Sequence, residues 1–438
     1  MAFREFETPQ MSRRNLMRAG AWLGAGAALG GLPMRAFAAD TKWAAVGKLV
    51  DDYVSSRKLA NVIATLGWGQ MDPEYVGAGN LALGVDALAG PDSLYRIYSM
   101  TKPITGMATM MLIDEGKLGL DQPLAEILPA FANMKVQKTY DGGVGASDVE
   151  PAQRPITIRH LLTHTAGIGY GIIQKGPIKT AYEDAGIIAG QVTKIPALAA
   201  MFGRGAPVRS LEAFADGLAK LPLVAQPGTR WSYSMSLDLL GRVIEVASGL
   251  SFDTYLQKAI FGPAGMSSTF FTVPASEVGR LTTNYGVMGG NLIPIDPANN
   301  SVYAEPPAFP FGGAGLVSSP RDYDRFLRML LGYGKIDGTR VMSELAVRVG
   351  TSNLLPEGVA MKGTFAEGSG FGAGGRVGLG DQAGTYGWGG AAGTVAFVDM
   401  KHGLRANLMT QYMPSDAYPI HGAFPAAVQA DLARMAGK

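Results

Sequence analysis

The run Ile104-Thr105-Gly106-Met107-Ala108-Thr109-Met110-Met111-Leu112-Ile113 constrains this chain more than any other stretch, because it is apolar on nearly every side of a helix. A helix with no polar face cannot lie on a surface, so the fold has to close around it. The strand-like residues Leu94-Tyr95-Arg96-Ile97-Tyr98 precede it. Pro103 sits in its first turn, where a missing N–H is tolerated, and Gly116 stops it. Between strand and helix stands Ser99-Met100-Thr101-Lys102. Residues i and i+3 share a helix face, so the lysine amine falls beside the serine hydroxyl. A desolvated lysine can lose its proton near neutral pH and act as base to a serine nucleophile. The free N–H groups at the start of a buried helix favour negative charge developing there. A second Ser-x-x-Lys, Ser55-Ser56-Arg57-Lys58, has neither strand before it nor apolar helix after it, and reads as a solvated surface turn.

The chain has 438 residues, 47% of them hydrophobic, enough for one large two-lobed domain or two ordinary ones and too many for a disordered chain. Its net charge is +2 with no basic stripe, so a nucleic-acid partner has no electrostatic support. The absence of cysteine excludes disulfides, thiolate metal sites, thiol catalysis and a lipid-modified cysteine. His160 and His164 stand at i, i+4, but the Glu of a zincin helix and a third ligand are missing, so the pair reads as structural. No metal and no cofactor are expected. Gly370-Phe371-Gly372-Ala373-Gly374-Gly375 fits G-x-G-x-x-G, yet no helix follows it, and a nucleotide site is not supported. No serine lies in a G-x-S-x-G elbow.

Residues 1–38 read as a targeting segment. Ser12-Arg13-Arg14-Asn15-Leu16-Met17 leads into a short Gly/Ala-rich apolar run from Ala21 to Leu29 and a small-residue cleavage site at Ala36-Phe37-Ala38. The layout resembles a twin-arginine signal, and the run is too short to span a bilayer as a stable anchor. Cleavage after Ala38 removes Arg4, Arg13, Arg14, Arg18 and Arg35 with Glu5 and Glu7, which takes a net +3 from +2 and leaves −1. The mature protein is expected in the periplasm or outside the cell, with the export machinery as a transient partner. In the remainder, helices are expected over Ala44–Lys58, Ile104–Glu115, Arg159–His164, Leu237–Ala247, Phe252–Ile260, Arg321–Leu331 and Pro425–Met435. Strands are expected over Val62–Trp68, from Tyr75, over Gly393–Met400 and over Arg405–Tyr412. Strands at both ends with helices between imply an α/β fold in which the two termini build one antiparallel sheet. The sheet lobe would take about 39–98 and 305–438, and an inserted, mainly helical lobe about 99–304. The segment Tyr170 to Arg209 is long, rich in Gly, Pro and Ala, and suited to covering a site.

Four stretches carry a family resemblance. Ser99-Met100-Thr101-Lys102 resembles the nucleophile motif of the serine β-lactamase and penicillin-binding-protein superfamily. Leu161-Leu162-Thr163-His164-Thr165-Ala166-Gly167, Pro227-Gly228-Thr229-Arg230-Trp231-Ser232-Tyr233-Ser234 and Gly312-Gly313-Ala314-Gly315-Leu316-Val317-Ser318-Ser319-Pro320-Arg321-Asp322 are similar to hallmarks of its class C branch, in the family order. The resemblance implies a β-lactamase/transpeptidase-like fold, with the antiparallel sheet flanked by helices. It implies Tyr233 as the tyrosine that shuttles a proton to the leaving group, a role a phenol beside an amine can perform. Met235 stands where the family's second motif has asparagine. Trp388-Gly389-Gly390 replaces the Lys-Thr-Gly of β-lactamases and resembles the form found in family VIII carboxylesterases. The resemblance implies substrate binding by Trp388, Gly389 and Gly390. It also implies an oxyanion hole from the backbone N–H groups of Ser99 and Ala391.

These readings converge on a serine hydrolase that works through a Ser99 acyl-enzyme, most simply a carboxylesterase on small neutral esters. The alternatives are a β-lactamase, a D-amino-acid peptidase or transacylase of the same family, and a non-catalytic peptidoglycan-binding protein. If the export reading holds, replacing Arg13 and Arg14 by lysine abolishes delivery to the periplasm, and mass spectrometry of the exported protein finds its N-terminus near Ala39. Unchanged fractionation of the double variant would point to another route.

Overall fold

The computed structural model describes residues 41–202 and 206–437, so the expected signal segment, residues 1–38, lies outside the described residues. The frame of the molecule is an antiparallel seven-stranded sheet assembled from the two ends of the described chain. Strands β1 (Asn61–Trp68) and β2 (Glu74–Gly79) come from the N-terminal end. From the C-terminal end come β3 (Gly370–Phe371), β4 (Arg376–Val377), β5 (Thr385–Gly389), β6 (Val395–Asp399) and β7 (Leu404–Met409). The spatial order is β3-β4-β5-β6-β7-β1-β2, so the termini meet where Ile63 of β1 faces Met409 of β7.

Both faces of the sheet are covered, and the alternation of β1 shows how. Val62, Ala64 and Leu66 point to one side, where they pack with Trp43, Val46 and Val50 of the N-terminal helix region and with Ile420, Phe424 and Val428. Val46 and Val50 belong to helix α1 (Ala44–Ser55), which Trp43 immediately precedes, and the other three to helix α6 (Ile420–Met435); the two helices pack on each other and on this face. Asp431 of α6 accepts the free N–H groups of Ala45 and Val46, both at 3.0 Å, and so caps α1. On the other side Ile63 and Met409 join the main core, against helix α4 (Pro320–Leu331), which Ser319 caps through the Asp322 N–H. That core closes around helix α2 (Thr101–Asp114), whose residues Thr101 to Leu112 are all buried, as its apolar circumference demands. Helices α3 (Ser236–Ser248) and α5 (Glu344–Gly350) pack directly on α2.

Several boundaries differ from expectation. The C-terminal helix begins at Ile420 rather than Pro425, because burial of Ile420 and Phe424 on the sheet extends it one turn ahead of the proline. Only Tyr95–Arg96 of the Leu94–Tyr98 stretch forms a strand, paired with Val317–Ser318 outside the main sheet. The expected strand from Gly393 starts at Val395, since residues 390–394 are spent on a tight turn. The region Phe252–Ile260 is helical to Leu256 and continues in a wider turn over Gln257–Phe261. The span about 99–304 also contains a strand pair, Asn284–Met288 with Asn291–Asp296, which Tyr412–Met413 extends in parallel.

The glycine-rich stretch 370–375 presses its backbone onto α2. A Cβ at Gly106, in the middle of that helix, would come 2.1 Å from the Ala373 carbonyl oxygen. Gly→Ala inside a helix ordinarily stabilises by about 1 kcal/mol. Here Gly106→Ala is expected to cost about 1–3 kcal/mol through overpacking. Urea denaturation checks this, and a gain in stability would mean that the two backbones are not in contact.

Candidate active site

The chain turns sharply just before Ser99. Tyr98 holds a left-handed backbone, φ 41°, which costs a non-glycine residue about 1–2 kcal/mol and is repaid by its surroundings. Its ring meets Tyr303 edge-on, and its hydroxyl accepts from Asn284 Nδ2 at 3.1 Å. Ser99 follows in a single 3₁₀ turn that runs into α2, so its N–H lies where a helix has no acceptor for it. One turn on, the fully buried Lys102 places Nζ 3.3 Å from Ser99 Oγ and donates to the Gly313 carbonyl at 2.7 Å. Nζ also lies 4.5 Å from the ring centre of Tyr233 and 5.7 Å from that of Tyr170. Two aromatic faces and a carbonyl thus replace the water that burial removes.

Tyr233 Oη donates to Ser99 Oγ at 2.7 Å, and Trp388 Nε1 donates to Tyr233 Oη from 3.4 Å. Trp388 is 8% exposed and packed among Tyr233, Phe365 and Phe371, so its N–H faces the tyrosine oxygen rather than open solvent. A phenol oxygen that receives an N–H and lies beside an amine is suited to pass a proton and to carry transient charge. Behind Tyr233 lies the buried His164, ring centres 4.8 Å apart, with Nδ1 2.7 Å from Ser234 Oγ. Burial, followed by the nearby Lys102 charge, holds this imidazole well below its usual pKa and therefore neutral. Strand β5 ends at Gly389, and the turn Gly390-Ala391-Ala392-Gly393 follows. The Ala391 N–H has no acceptor among the described residues. Ser99, Tyr233, Trp388, Gly389, Gly390 and Ala391 share one cavity of about 1940 Å³.

The structure therefore gathers Ser99, Lys102, Tyr233 and Trp388 into one hydrogen-bonded cluster, with Gly389, Gly390 and Ala391 on the same cavity wall. It keeps the other candidates apart. Ser55 ends α1 and donates to the Asp51 carbonyl. His160 accepts the Thr157 N–H at its helix start, and burial pushes its pKa down to about 4. Among the described residues no group of acidic, histidine or cysteine side chains could hold a metal ion. Met235 is fully buried in the core and does not line the cavity.

Two contributors escaped the sequence reading. Asp238, fully buried on α3, accepts the Gly313 N–H through Oδ1 at 2.8 Å, while the carbonyl of Gly313 holds Lys102. Burial raises its carboxyl to about 6, against the opposing pull of Lys102. Its signal in the sequence was a carboxylate set among Leu237, Leu239 and Leu240 on an otherwise apolar helix face. Arg376 of β4 lines the cavity with its guanidinium 5.7 Å from the Trp388 ring centre. It donates to the Phe365 carbonyl and has no carboxylate partner among the described residues. No local pattern announces it.

Comparison with known proteins agrees with this geometry. The model of the beta-lactamase family matches residues 65–430, and the chain belongs to that family. Protein Rv1367c of Mycobacterium tuberculosis is 36% identical over 339 residues, covering 74% of this chain and 78% of the relative. Esterase EstB of Burkholderia gladioli is 30% identical over 353 residues, covering 73% and 77%. The solved structure of simvastatin synthase (LovD) from Aspergillus terreus superposes with a TM-score of 0.72 at 21% identity, covering 91% of this chain and 99% of that one. The fold is thus the β-lactamase/transpeptidase-like one, an antiparallel sheet flanked by helices.

Loss of either partner of Ser99 is expected to be severe. Lys102→Ala and Tyr233→Phe each lower kcat by about two to four orders of magnitude in a p-nitrophenyl ester assay, with Ser99→Ala inactive. Asp238→Asn keeps the acceptor for Gly313 and removes the titrating carboxyl. An acid limb near pH 6 in the wild-type rate profile should then flatten, and an unchanged limb would assign it to another group.

Proposed function

We propose that the protein is a serine carboxylesterase acting on small, largely apolar acyl esters. The single observation that carries this reading is the Lys102–Ser99–Tyr233 cluster opening into a large cavity, with a tryptophan where β-lactamases carry a lysine. The reaction follows from the positions. Tyr233 and Lys102 together take the Ser99 proton as Oγ adds to the ester carbonyl. The Ser99 and Ala391 N–H groups receive the oxyanion. Tyr233 returns the proton to the departing alkoxide, and water releases the acyl group by the same steps reversed. EstB is an esterase by name, and its likeness over most of both chains supports the ester class without naming a substrate. Export through the twin-arginine-type segment, to the periplasm or beyond, belongs to the same proposal.

A second reading has one observation behind it. The Arg376 guanidinium, without a carboxylate partner among the described residues, offers the cavity a cation that a substrate carboxylate could meet. A β-lactam or another anionic acyl donor fits that feature. The two readings separate in a hydrolysis panel. Wild-type protein is expected to favour p-nitrophenyl butyrate over nitrocefin by about 10²-fold or more in kcat/KM, and Trp388→Lys is expected to narrow that ratio. Equal efficiency on both substrates would reject the ester preference.

A further inference from the structure

We infer that His421 is a positioning residue that holds the oxyanion turn in place, an inference that rests on the acyl-enzyme reading of Ser99. The Ala391 N–H can receive an oxyanion only if the turn that carries it is fixed relative to Ser99 to within a few tenths of an ångström. Backbone bonds secure most of that turn. Gly390 N–H donates to the Thr394 carbonyl at 2.7 Å, Gly393 N–H to the Gly390 carbonyl at 3.1 Å, and Tyr412 N–H to the Ala392 carbonyl at 3.1 Å. The remaining tie comes from α6. His421 Nε2 lies 3.0 Å from the Thr394 carbonyl oxygen, the atom that also receives Gly390. A carbonyl only accepts, so Nε2 carries the proton and donates. One oxygen therefore joins the end of β5, the start of β6 and the first turn of α6.

Packing shows that the imidazole belongs there. A Cβ on Gly389 would come within 3.1 Å of the ring, so the glycine leaves the space that His421 fills. The neighbours Ile420 and Phe424, both fully buried, anchor the helix turn that presents the ring. Burial, with a smaller push from Arg376, holds the imidazole below its usual pKa, while the Thr394 and Gly390 carbonyls pull the other way. The ring lines the same cavity as Ser99, with its Nε2 proton committed to the Thr394 carbonyl. Its effect passes through the position of Ala391.

Three variants test this. His421→Gln can place a donor near the Nε2 position, His421→Leu fills similar volume with no donor, and His421→Asn carries a donor too short to reach Thr394. The measurements are kcat and KM for p-nitrophenyl butyrate, the second-order rate of fluorophosphonate labelling at Ser99, and Tm. His421→Leu and His421→Asn are expected to lose about 10–100-fold in kcat and in labelling rate, with KM changed less than about twofold. These losses are smaller than that for deleting an oxyanion donor outright. His421→Gln should recover most of both rates at a Tm no higher than that of the Asn variant. Equal losses in the Gln and Asn variants, a change confined to KM, or unchanged rates in all three would overturn the assignment. Should the Leu variant not fold, the Gln–Asn comparison decides alone. If wild-type protein cleaves no p-nitrophenyl ester while Ser99 still reacts with the fluorophosphonate, the ester proposal fails and the labelling rates still judge His421.

Discussion

Everything in this molecule is arranged around an amine nitrogen taken fully out of water. Lys102 lies on a helix with no polar face, and leaving its nitrogen unpartnered there would cost several kcal/mol. The structure supplies the Gly313 carbonyl, the Ser99 hydroxyl and the faces of Tyr233 and Tyr170. Each partner comes from a different part of the chain. Tyr170 lies before the short helix Pro177–Asp184, Tyr233 just before α3, and Gly313 seven residues before α4. A fold that satisfies Lys102 has already brought those segments together, and in doing so has assembled the cavity wall.

The same economy governs Tyr233. Its oxygen lies between the Ser99 hydroxyl and the Trp388 N–H, and its ring lies between His164, Trp231 and Tyr170. Packing by these rings leaves the phenol one orientation, with its oxygen held at Ser99 Oγ. Trp388 contributes through the alternation of β5, where Tyr386 and Trp388 turn into the main core while Thr385, Gly387 and Gly389 take the opposite face, Gly389 against His421. The tryptophan thereby belongs to the tyrosine's surroundings as much as to any substrate's. Asp238 reaches the same centre indirectly, since Gly313 receives Lys102 at its carbonyl and offers its N–H, in the preceding peptide, to the carboxylate. Asp238, which has no hydrogen bond to Ser99, is thus linked to it through one backbone residue, Gly313, and Lys102.

Much of this was legible in the amino-acid order. A serine and a lysine three apart, between a strand-like stretch and an all-round apolar helix, could hardly be placed anywhere but at a buried helix start. The strand-like stretches Val62–Trp68 and Arg405–Tyr412, one near each end with helices between, announced a sheet joined from the two ends. The order of the four motif stretches announced the family, and Trp388-Gly389-Gly390 marked the departure from a β-lactamase site. Local periodicity fails where burial overrides it. Phe424 and Ile420 carry the last helix past Pro425, and the strand expected from Gly393 begins two residues later because the tight turn after Gly389 uses those residues.

What the sequence by itself determined is a local setting: a serine and a lysine one turn apart at the start of a buried helix, with a short strand before them. Neighbours along the chain share a helix face or a strand face, and that relation needs no fold to be known. Only the tertiary structure decided that Asp238 and Lys102 meet on Gly313, that the Trp388 N–H points at Tyr233, that Arg376 lies over Trp388, and that His421 reaches Thr394. These contacts join residues 12 to 155 positions apart, or pass through a backbone carbonyl that any residue could supply. No periodicity records them, because they are set by how helices and sheet pack and not by the order of side chains along either one.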